Sequence, residues 1–141
     1  MSDITVRKLR RISGERGASY YLKPPLNWLE TVEKQERKKV LYLAVKAEYD
    51  NLILNPLFEN PPVEAPHYGS PEEVMAMLRK GTVSKLRDIH KGGSTARIIN
   101  IPRAWVHTLE KEHNSTIVDL RLTVHSRSIT VEPIFKHVKP R

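Results

Sequence analysis

The sequence predicts a mainly β protein with short helices, of the α+β class, built from two tandem copies of a β-hairpin–helix–β-hairpin unit. Three observations predict this architecture. The chain contains an ungapped internal repeat, its short Val-, Leu- and Ile-rich segments alternate with glycine-bearing turns, and each copy has one tryptophan-containing helical segment. The 141 residues suffice for one ordinary domain or two very small ones.

The internal repeat relates residues 6–58 to residues 83–135 with a constant offset of 77 and no gap. Thirteen of the 53 aligned positions are identical, and the only two tryptophans, Trp28 and Trp105, coincide. A unit of this length buries too little apolar surface to be stable alone. We therefore expect both copies to build one pseudo-symmetric domain. Residues 59–82 are predicted to be a connector and residues 136–141 a basic tail.

Each copy is predicted to contain a first strand, a glycine-bearing turn, a second strand, a helix and a final hairpin. The predicted ranges are 4–12 and 82–90 for the first strand, 18–23 and 95–101 for the second, and 26–36 and 103–113 for the helix. Pro25 and Pro102 suit a helix start, because the missing N–H has no intrahelical partner there. Both tryptophans lie on the apolar stripe of the predicted helix, so we expect them in the core.

The connector differs from its flanks, since it is proline-rich and carries a net negative charge. Its prolines favour an extended path. Ser70 as N-cap, Pro71 in the first turn and Gly81 as stop predict a short helix within it. The apolar stripe of that helix is predicted to be Val74, Met77 and Leu78.

The composition excludes several classes of function. No cysteine is present, which excludes disulfides, cysteine-ligated zinc, iron–sulfur clusters and thiol nucleophiles. No His pair shows a compact metal spacing, and the turn at residues 92–95 lacks the Lys-Ser/Thr ending of a phosphate-binding loop. We therefore expect no enzyme, no cofactor and no metal. The longest apolar runs are strand-sized and no signal core is evident, so we expect a cytoplasmic protein without a membrane partner.

The net charge of +8 and the pI of about 9.8 indicate a polyanionic partner. Charge alone decides little, because a merely basic surface is common. The basic residues of the first strands are clustered, however, and Lys8/Lys85 and Arg10/Arg87 recur at the repeat offset. This clustering favours a binding surface over solvated edge residues.

A family resemblance supports the same reading. Residues 92–105, Gly-Gly-Ser-Thr-Ala-Arg-Ile-Ile-Asn-Ile-Pro-Arg-Ala-Trp, resemble a segment of the SpoVT/AbrB-like swapped-hairpin (AbrB/MazE-type) DNA-binding family, particularly its archaeal members. Residues 6–9 resemble the basic first strand of that family, and residues 128–133 its closing strand. The resemblance covers both repeats, about three-quarters of the chain.

The resemblance implies a swapped-hairpin β-barrel in which two copies interlock their hairpins. Because one chain carries both copies, it implies an intramolecular pseudo-dimer, with a further homodimer or exchange between chains left open. It also implies double-stranded DNA as partner, bound through the first hairpins. Copy one departs from the pattern at residues 14–17 and at Pro24, and copy two has Ser84 where copy one has Arg7. The two halves are therefore expected to meet DNA unequally.

The candidate DNA contacts are the basic residues of the two first hairpins and the strands after them. Lys and Arg neutralise phosphates, and an Arg on a two-stranded ribbon can enter the major groove and bind guanine. The candidates are Arg7, Lys8, Arg10, Arg11 and Arg16 in copy one, and Lys85, Arg87, Lys91 and Arg97 in copy two.

Three functions compete on this evidence. The first is a sequence-specific or semi-specific DNA-binding transcriptional regulator, located at the nucleoid. The second is the antitoxin of a toxin–antitoxin pair, which ranks lower because only six residues, carrying a net charge of +3, follow the second repeat, so we expect no toxin partner. A nucleoid-associated protein is a variant of the first function, and the third is a protein–protein or assembly module that keeps the barrel but has lost DNA binding.

Overall fold

The structure is a computed structural model that describes residues 3–14, 17–59 and 70–136. The side chains at positions 3, 10–14, 17–19, 90, 91, 94 and 95 lie outside the described part. The described residues form ten strands and three helices. None of these helices is long and apolar enough to cross a lipid bilayer.

The elements follow the repeat. The first copy contains β1 (Asp3–Lys8), β2 (Arg10–Gly14), β3 (Gly17–Leu22), α1 (Leu26–Glu36), β4 (Tyr42–Glu48) and β5 (Asn51–Leu57). The connector contains α2 (Pro71–Lys80). The second copy contains β6 (Thr82–Lys85), β7 (Arg87–Lys91), β8 (Ser94–Ile101), α3 (Arg103–His113), β9 (Ile117–His125) and β10 (Ser128–Phe135). The predicted bounds of the repeat helices are confirmed.

The predicted first strand is wrong in one respect, because it is two strands in each copy. The break falls at Leu9 and at Leu86, which are equivalent in the repeat. The Leu9 N–H donates to the Val118 carbonyl at 3.3 Å, and the Leu86 N–H to the equivalent Leu41 carbonyl at 3.0 Å. Leu86 is buried in the core, and Leu9 is half-buried and packs against the same core. Each leucine thus anchors the chain where it passes from one sheet to the other.

The strands form two antiparallel sheets. One has six strands in the order β1-β9-β10-β5-β4-β6, and the other has four in the order β2-β3-β8-β7. Within the described residues both sheets are open, so the predicted barrel is not closed. The reason is that the kinked strands divide between the two sheets instead of running through as one continuous ladder.

The pairing crosses between the copies. Strand β1 of the first copy pairs with β9 of the second, and β6 of the second pairs with β4 of the first. The registers are equivalent, since Val6 faces Arg121 and Val83 faces Ala44. The central pairs, β5 with β10 and β3 with β8, also join the two copies. The described residues therefore form one pseudo-symmetric domain.

The repeat helices begin and end in the same way. Pro25 and Pro102 lie at their N-caps, and Arg37 and Asn114 end them in the left-handed conformation with φ of 56° and 48°. A glutamate near the end of each helix also accepts from a backbone N–H at or just before the start of the next strand. Glu33 binds the Val40 N–H and Glu110 the Ile117 N–H, each at 2.8 Å. These bonds set the angle between helix and strand in both copies.

The connector helix begins and ends as predicted. The Ser70 hydroxyl accepts from the Glu73 N–H at 3.2 Å, and Gly81 follows the last turn with φ of 110°. In its predicted stripe Leu78 is buried and Val74 packs against the core, as expected. The prediction missed Met75, which is buried, and Met77 is only half-buried. The helix packs on β4 and α3.

Both tryptophans lie in a core shared by the two copies. Trp28 is 5% exposed and Trp105 is fully buried, and both belong to one cluster that includes side chains from both sheets and all three helices. The prediction that they pack in the core is confirmed. Because no second cluster of buried side chains occurs among the described residues, neither copy has a core of its own.

We expect the Trp105→Ala substitution to lower the free energy of unfolding by about 3–5 kcal/mol, because it removes a fully buried aromatic side chain from this core. Chemical denaturation followed by circular dichroism measures the change. Leu26→Ala is the control, since Leu26 is 55% exposed. Equal losses in the two variants would contradict the burial of Trp105.

Candidate nucleic-acid interface

The predicted contact residues divide between the two sheets because the first strands break. Arg7 and Lys8 lie in β1, and Lys85 lies in β6, at opposite edges of the six-stranded sheet. All three side chains are exposed. Arg10, Arg11, Arg87, Lys91 and Arg97 belong instead to the four-stranded sheet. Arg16 lies outside the described residues, as do the side chains of Arg10, Arg11 and Lys91.

The four-stranded sheet consists of the two predicted first hairpins. Strand β7 turns into β8 through Gly92 and Gly93, whose φ values of 58° and 84° suit a two-residue type I′ turn. In the first copy, Gly14 faces Gly17 at the corresponding end of the hairpin. The inner strands of the hairpins pair with each other, Leu22 facing Ile99, so the two ribbons form a continuous surface.

The alternation of β3 and β8 defines the outer face of this sheet. Leu22 and Ile99 point into the core, so alternation directs Tyr21 and Asn100 outwards. Ile98 alternates with Ile99 in the same way but is itself buried, at 2% exposed. Arg87 pairs with Ile98 and joins that face, where its Nη2 donates to Asn100 Oδ1 at 3.1 Å. The bond orients the guanidinium across the sheet.

Charge distinguishes this outer face. The register places Arg10 in one row with Tyr21 and Asn100, and Arg87 stands at the equivalent position on the opposite edge. None of the described side chains on this side of the sheet is a carboxylate, and all but the buried Ile98 are at least partly exposed: Tyr21, Arg87, Ile89, Ala96, Ile98 and Asn100. The outer face of the six-stranded sheet is mixed instead, since Lys8 faces Asp119 and Arg121 lies 3.8 Å from Glu132.

Arg97 has a structural position rather than an outward one. Its side chain is 12% exposed, and its Nη1 donates to Glu33 Oε1 at 3.0 Å. Its Nη2 donates to the Val40 carbonyl at 2.7 Å, and Asp88 lies 3.8 Å from its Nε. Arg97 thus ties the second hairpin to the end of α1, so it is not part of the exposed candidate surface.

A groove lies beside the edge strand β7. It has a volume of about 310 Å³ and is lined by Lys39, Val40, Leu41, Tyr42, Lys85, Leu86, Asp88 and Arg97. Lys39 and Lys85 are exposed, and Asp88 contributes a carboxylate. Two of the predicted contact residues, Lys85 and Arg97, therefore line the groove, together with Lys39, which no sequence pattern indicates.

Two further outer residues, Asn100 and Lys23, were also missed by sequence reasoning. Lys23 directly follows β3 and is exposed. The signal for Asn100 lies in the segment 97–101, where one polar residue stands between the buried Ile99 and Ile101. A polar residue in that position indicates a strand with one solvent-facing side.

The structure also brings together a group that sequence spacing could not reveal. Asp50, Glu112 and His113 have potential metal-ligand atoms within 4.8 Å of one another. Two of them are neighbours at the end of α3, and Asp50 comes from a turn of the other copy. In this arrangement Asp50 and His113 already bind each other, Nε2 to Oδ2 at 2.9 Å.

We expect Arg97→Gln to lower the free energy of unfolding by about 1.5–3 kcal/mol, because it removes charge-assisted hydrogen bonds from partly buried groups. Arg121→Gln is the control, since its ion pair with Glu132 is exposed and should contribute less than about 1 kcal/mol. Urea denaturation of both variants measures the difference. A loss no larger than that of the control would argue against the structural position of Arg97.

Comparisons of the chain with protein-family models, with curated proteins and with solved structures find no match.

Proposed function

We propose that the protein binds double-stranded DNA through the outer face of its four-stranded sheet and acts as a transcriptional regulator at the nucleoid. One observation carries the proposal. The backbone register places Arg10 and Arg87 at equivalent positions of the two edge strands of this sheet, Arg87 is exposed there, and the described side chains of the outer face include no carboxylate. The overall charge of +8 favours the approach of a polyanion.

The chemistry of this face suits both parts of DNA recognition. Arginine neutralises phosphates and releases counterions, which provides affinity without sequence information. A two-stranded ribbon fits the major groove, where arginine binds the O6 and N7 atoms of guanine in bidentate fashion and asparagine binds adenine. Arg87 and Asn100 are hydrogen-bonded neighbours on such a ribbon, so they can present both kinds of contact side by side.

The two halves of the face differ, which has a consequence for the target. Tyr21 of the first copy corresponds to Ile98 of the second, and Lys23 corresponds to Asn100. Groups with different hydrogen-bonding capacity therefore occupy equivalent positions. We expect the preferred duplex to lack two-fold symmetry.

The exchange of strands between the copies supports the resemblance to the swapped-hairpin family. In the described residues the first strand of each copy completes the six-stranded sheet by pairing with the other copy. Membership of that family, and an intramolecular swapped-hairpin pseudo-dimer, are parts of the proposal.

An assembly module is the second candidate, because one edge of the six-stranded sheet exposes apolar side chains. Ile4 is 65% and Val6 54% exposed on the edge strand β1. An edge strand of this kind can pair with another chain. This function predicts self-association without salt-dependent affinity for DNA.

We expect the protein to bind random duplex DNA with an affinity that falls steeply with salt, at a log–log slope of about −4 to −8. Arg10→Ala and Arg87→Ala should each weaken binding by about 5- to 150-fold where the arginine reads a base. Where it contacts phosphate, the slope should instead become shallower by about 1. Fluorescence anisotropy across a salt series measures both quantities.

Lys46→Ala is the matched control. Lys46 is exposed on β4 of the other sheet, and its substitution removes one positive charge, as each arginine substitution does. A folded double variant of Arg10 and Arg87 that binds DNA like the wild type would remove the four-stranded sheet from the site. Absence of DNA binding by the wild type at low salt would favour the assembly function.

A further inference from the structure

Two contacts at equivalent places join the end of a helix in one copy to a hairpin turn in the other. Arg127, in the turn between β9 and β10, donates from Nη1 to Oε1 of Glu36 at the end of α1. Asp50, in the turn between β4 and β5, binds His113 at the end of α3, with 2.9 Å between Oδ2 and Nε2. Each turn thus contacts the helix of the opposite copy.

The repeat offset of 77 relates these contacts to each other with their charges reversed. Glu36 corresponds to His113, and Asp50 corresponds to Arg127. In the first contact the helix end is acidic and the turn is basic. In the second the helix end carries the histidine and the turn is acidic. The first copy therefore contributes two carboxylates, Glu36 and Asp50, and the second copy contributes the two groups that bind them, Arg127 and His113.

The local surroundings reinforce this arrangement. Arg127 lies at the C-terminal end of α1, where the helix dipole attracts a cation. The His113 ring packs against Phe135, with 4.5 Å between ring centroids, which holds its Nε2 towards the turn. All four charged or ionisable side chains are between 35% and 52% exposed, so each contact remains accessible to solvent.

We infer that these contacts make the two repeats complementary, so that repeat 1 accepts repeat 2 as its partner and rejects a second repeat 1. A domain made of two first repeats would place Glu36 against Asp50 twice, which brings like charges together. A domain made of two second repeats would place His113 against Arg127 twice, which is repulsive when the histidine is protonated. This inference does not depend on DNA binding.

The partner that fits is therefore a second repeat, either from the same chain or from another copy of the chain by reciprocal exchange. Exposed pairs contribute individually by a factor of about 1.4 to 5 in an equilibrium constant. Reversing the charge at position 36 alters four contacts in a pair of chains. The two mixed domains lose their attractions between position 36 and Arg127, and a domain of two first repeats gains two attractions between position 36 and Asp50. We expect a shift of about tenfold towards like pairing.

A crosslink at the centre of the six-stranded sheet can report which repeats have paired. Ile53 and Thr130 are equivalent in the repeat, face each other across β5 and β10, and are half-buried on the outer side. Their Cα atoms are directly opposite, at a separation that a disulfide spans in antiparallel sheets. The chain has no cysteine, so substitutions at these positions introduce the only thiols.

Mild oxidation of full-length variants followed by non-reducing electrophoresis gives the test. I53C or T130C alone should remain an uncrosslinked single chain, whereas the double variant should form the 53–130 disulfide. Adding E36K to I53C should increase the 53–53 crosslinked dimer about tenfold. Adding R127E to T130C should likewise increase the 130–130 dimer. The new carboxylate at position 127 repels Glu36 in the mixed domain, whereas it can bind His113 in a domain of two second repeats.

E72K is the matched control for E36K, because Glu72 is exposed in the connector helix and undergoes the same change of charge. Circular dichroism confirms folding, and the two reversals provide independent variants. Equal crosslinking of I53C with and without E36K, and of T130C with and without R127E, would overturn the inference. An E72K variant that dimerises like E36K would overturn it as well.

Discussion

The fold depends on one constraint, which is that neither repeat can complete its own sheet. The first strand of each copy, β1 or β6, hydrogen-bonds to the fourth strand of the other copy, β9 or β4, and the chain then enters its own hairpin after Leu9 or Leu86. At the point where the backbone changes sheet, Leu86 is buried in the shared core and Leu9 packs against that core. Because the strands cross in both directions, the helices, the hairpins and the two outer faces all take their positions from this exchange.

The two repeats share the residues that begin and end their helices, and they differ in the residues that contact the other copy. The prolines at the helix starts, the left-handed residues after the helix ends and the Glu33 and Glu110 bonds occur in both copies. Across the interface the equivalent residues have diverged. Arg97, which ties a hairpin to α1, corresponds to Tyr20, whose hydroxyl lies 3.5 Å from His107. Divergence of this kind turns a symmetric arrangement into two complementary halves.

The two sheets expose chemically different faces. Charges on the six-stranded sheet are balanced locally, as between Arg121 and Glu132. On the four-stranded sheet the acidic Asp88 lies on the inner side beside Arg97, so it does not neutralise the outer arginine Arg87. The separation follows from strand alternation, since adjacent residues of β7 point to opposite faces. Arg87 therefore remains without a carboxylate neighbour on the outer face although Asp88 follows it in the same strand.

Local patterns in the sequence determined the repeat, the bounds of the helices, the hairpin turns and the burial of Trp28 and Trp105. These features depend on nearby residues, such as a proline before a helix, paired glycines in a turn or a stripe of apolar side chains. The candidate residues were identified from charge, which is also a local property.

Tertiary structure alone decided the breaks at Leu9 and Leu86, the open sheets, the inward position of Arg97 and the contacts of Glu36 with Arg127 and of Asp50 with His113. Each of these depends on residues brought together from distant parts of the chain. Hydrophobic periodicity reports which side of a strand is buried, but it does not report which strand lies beside it.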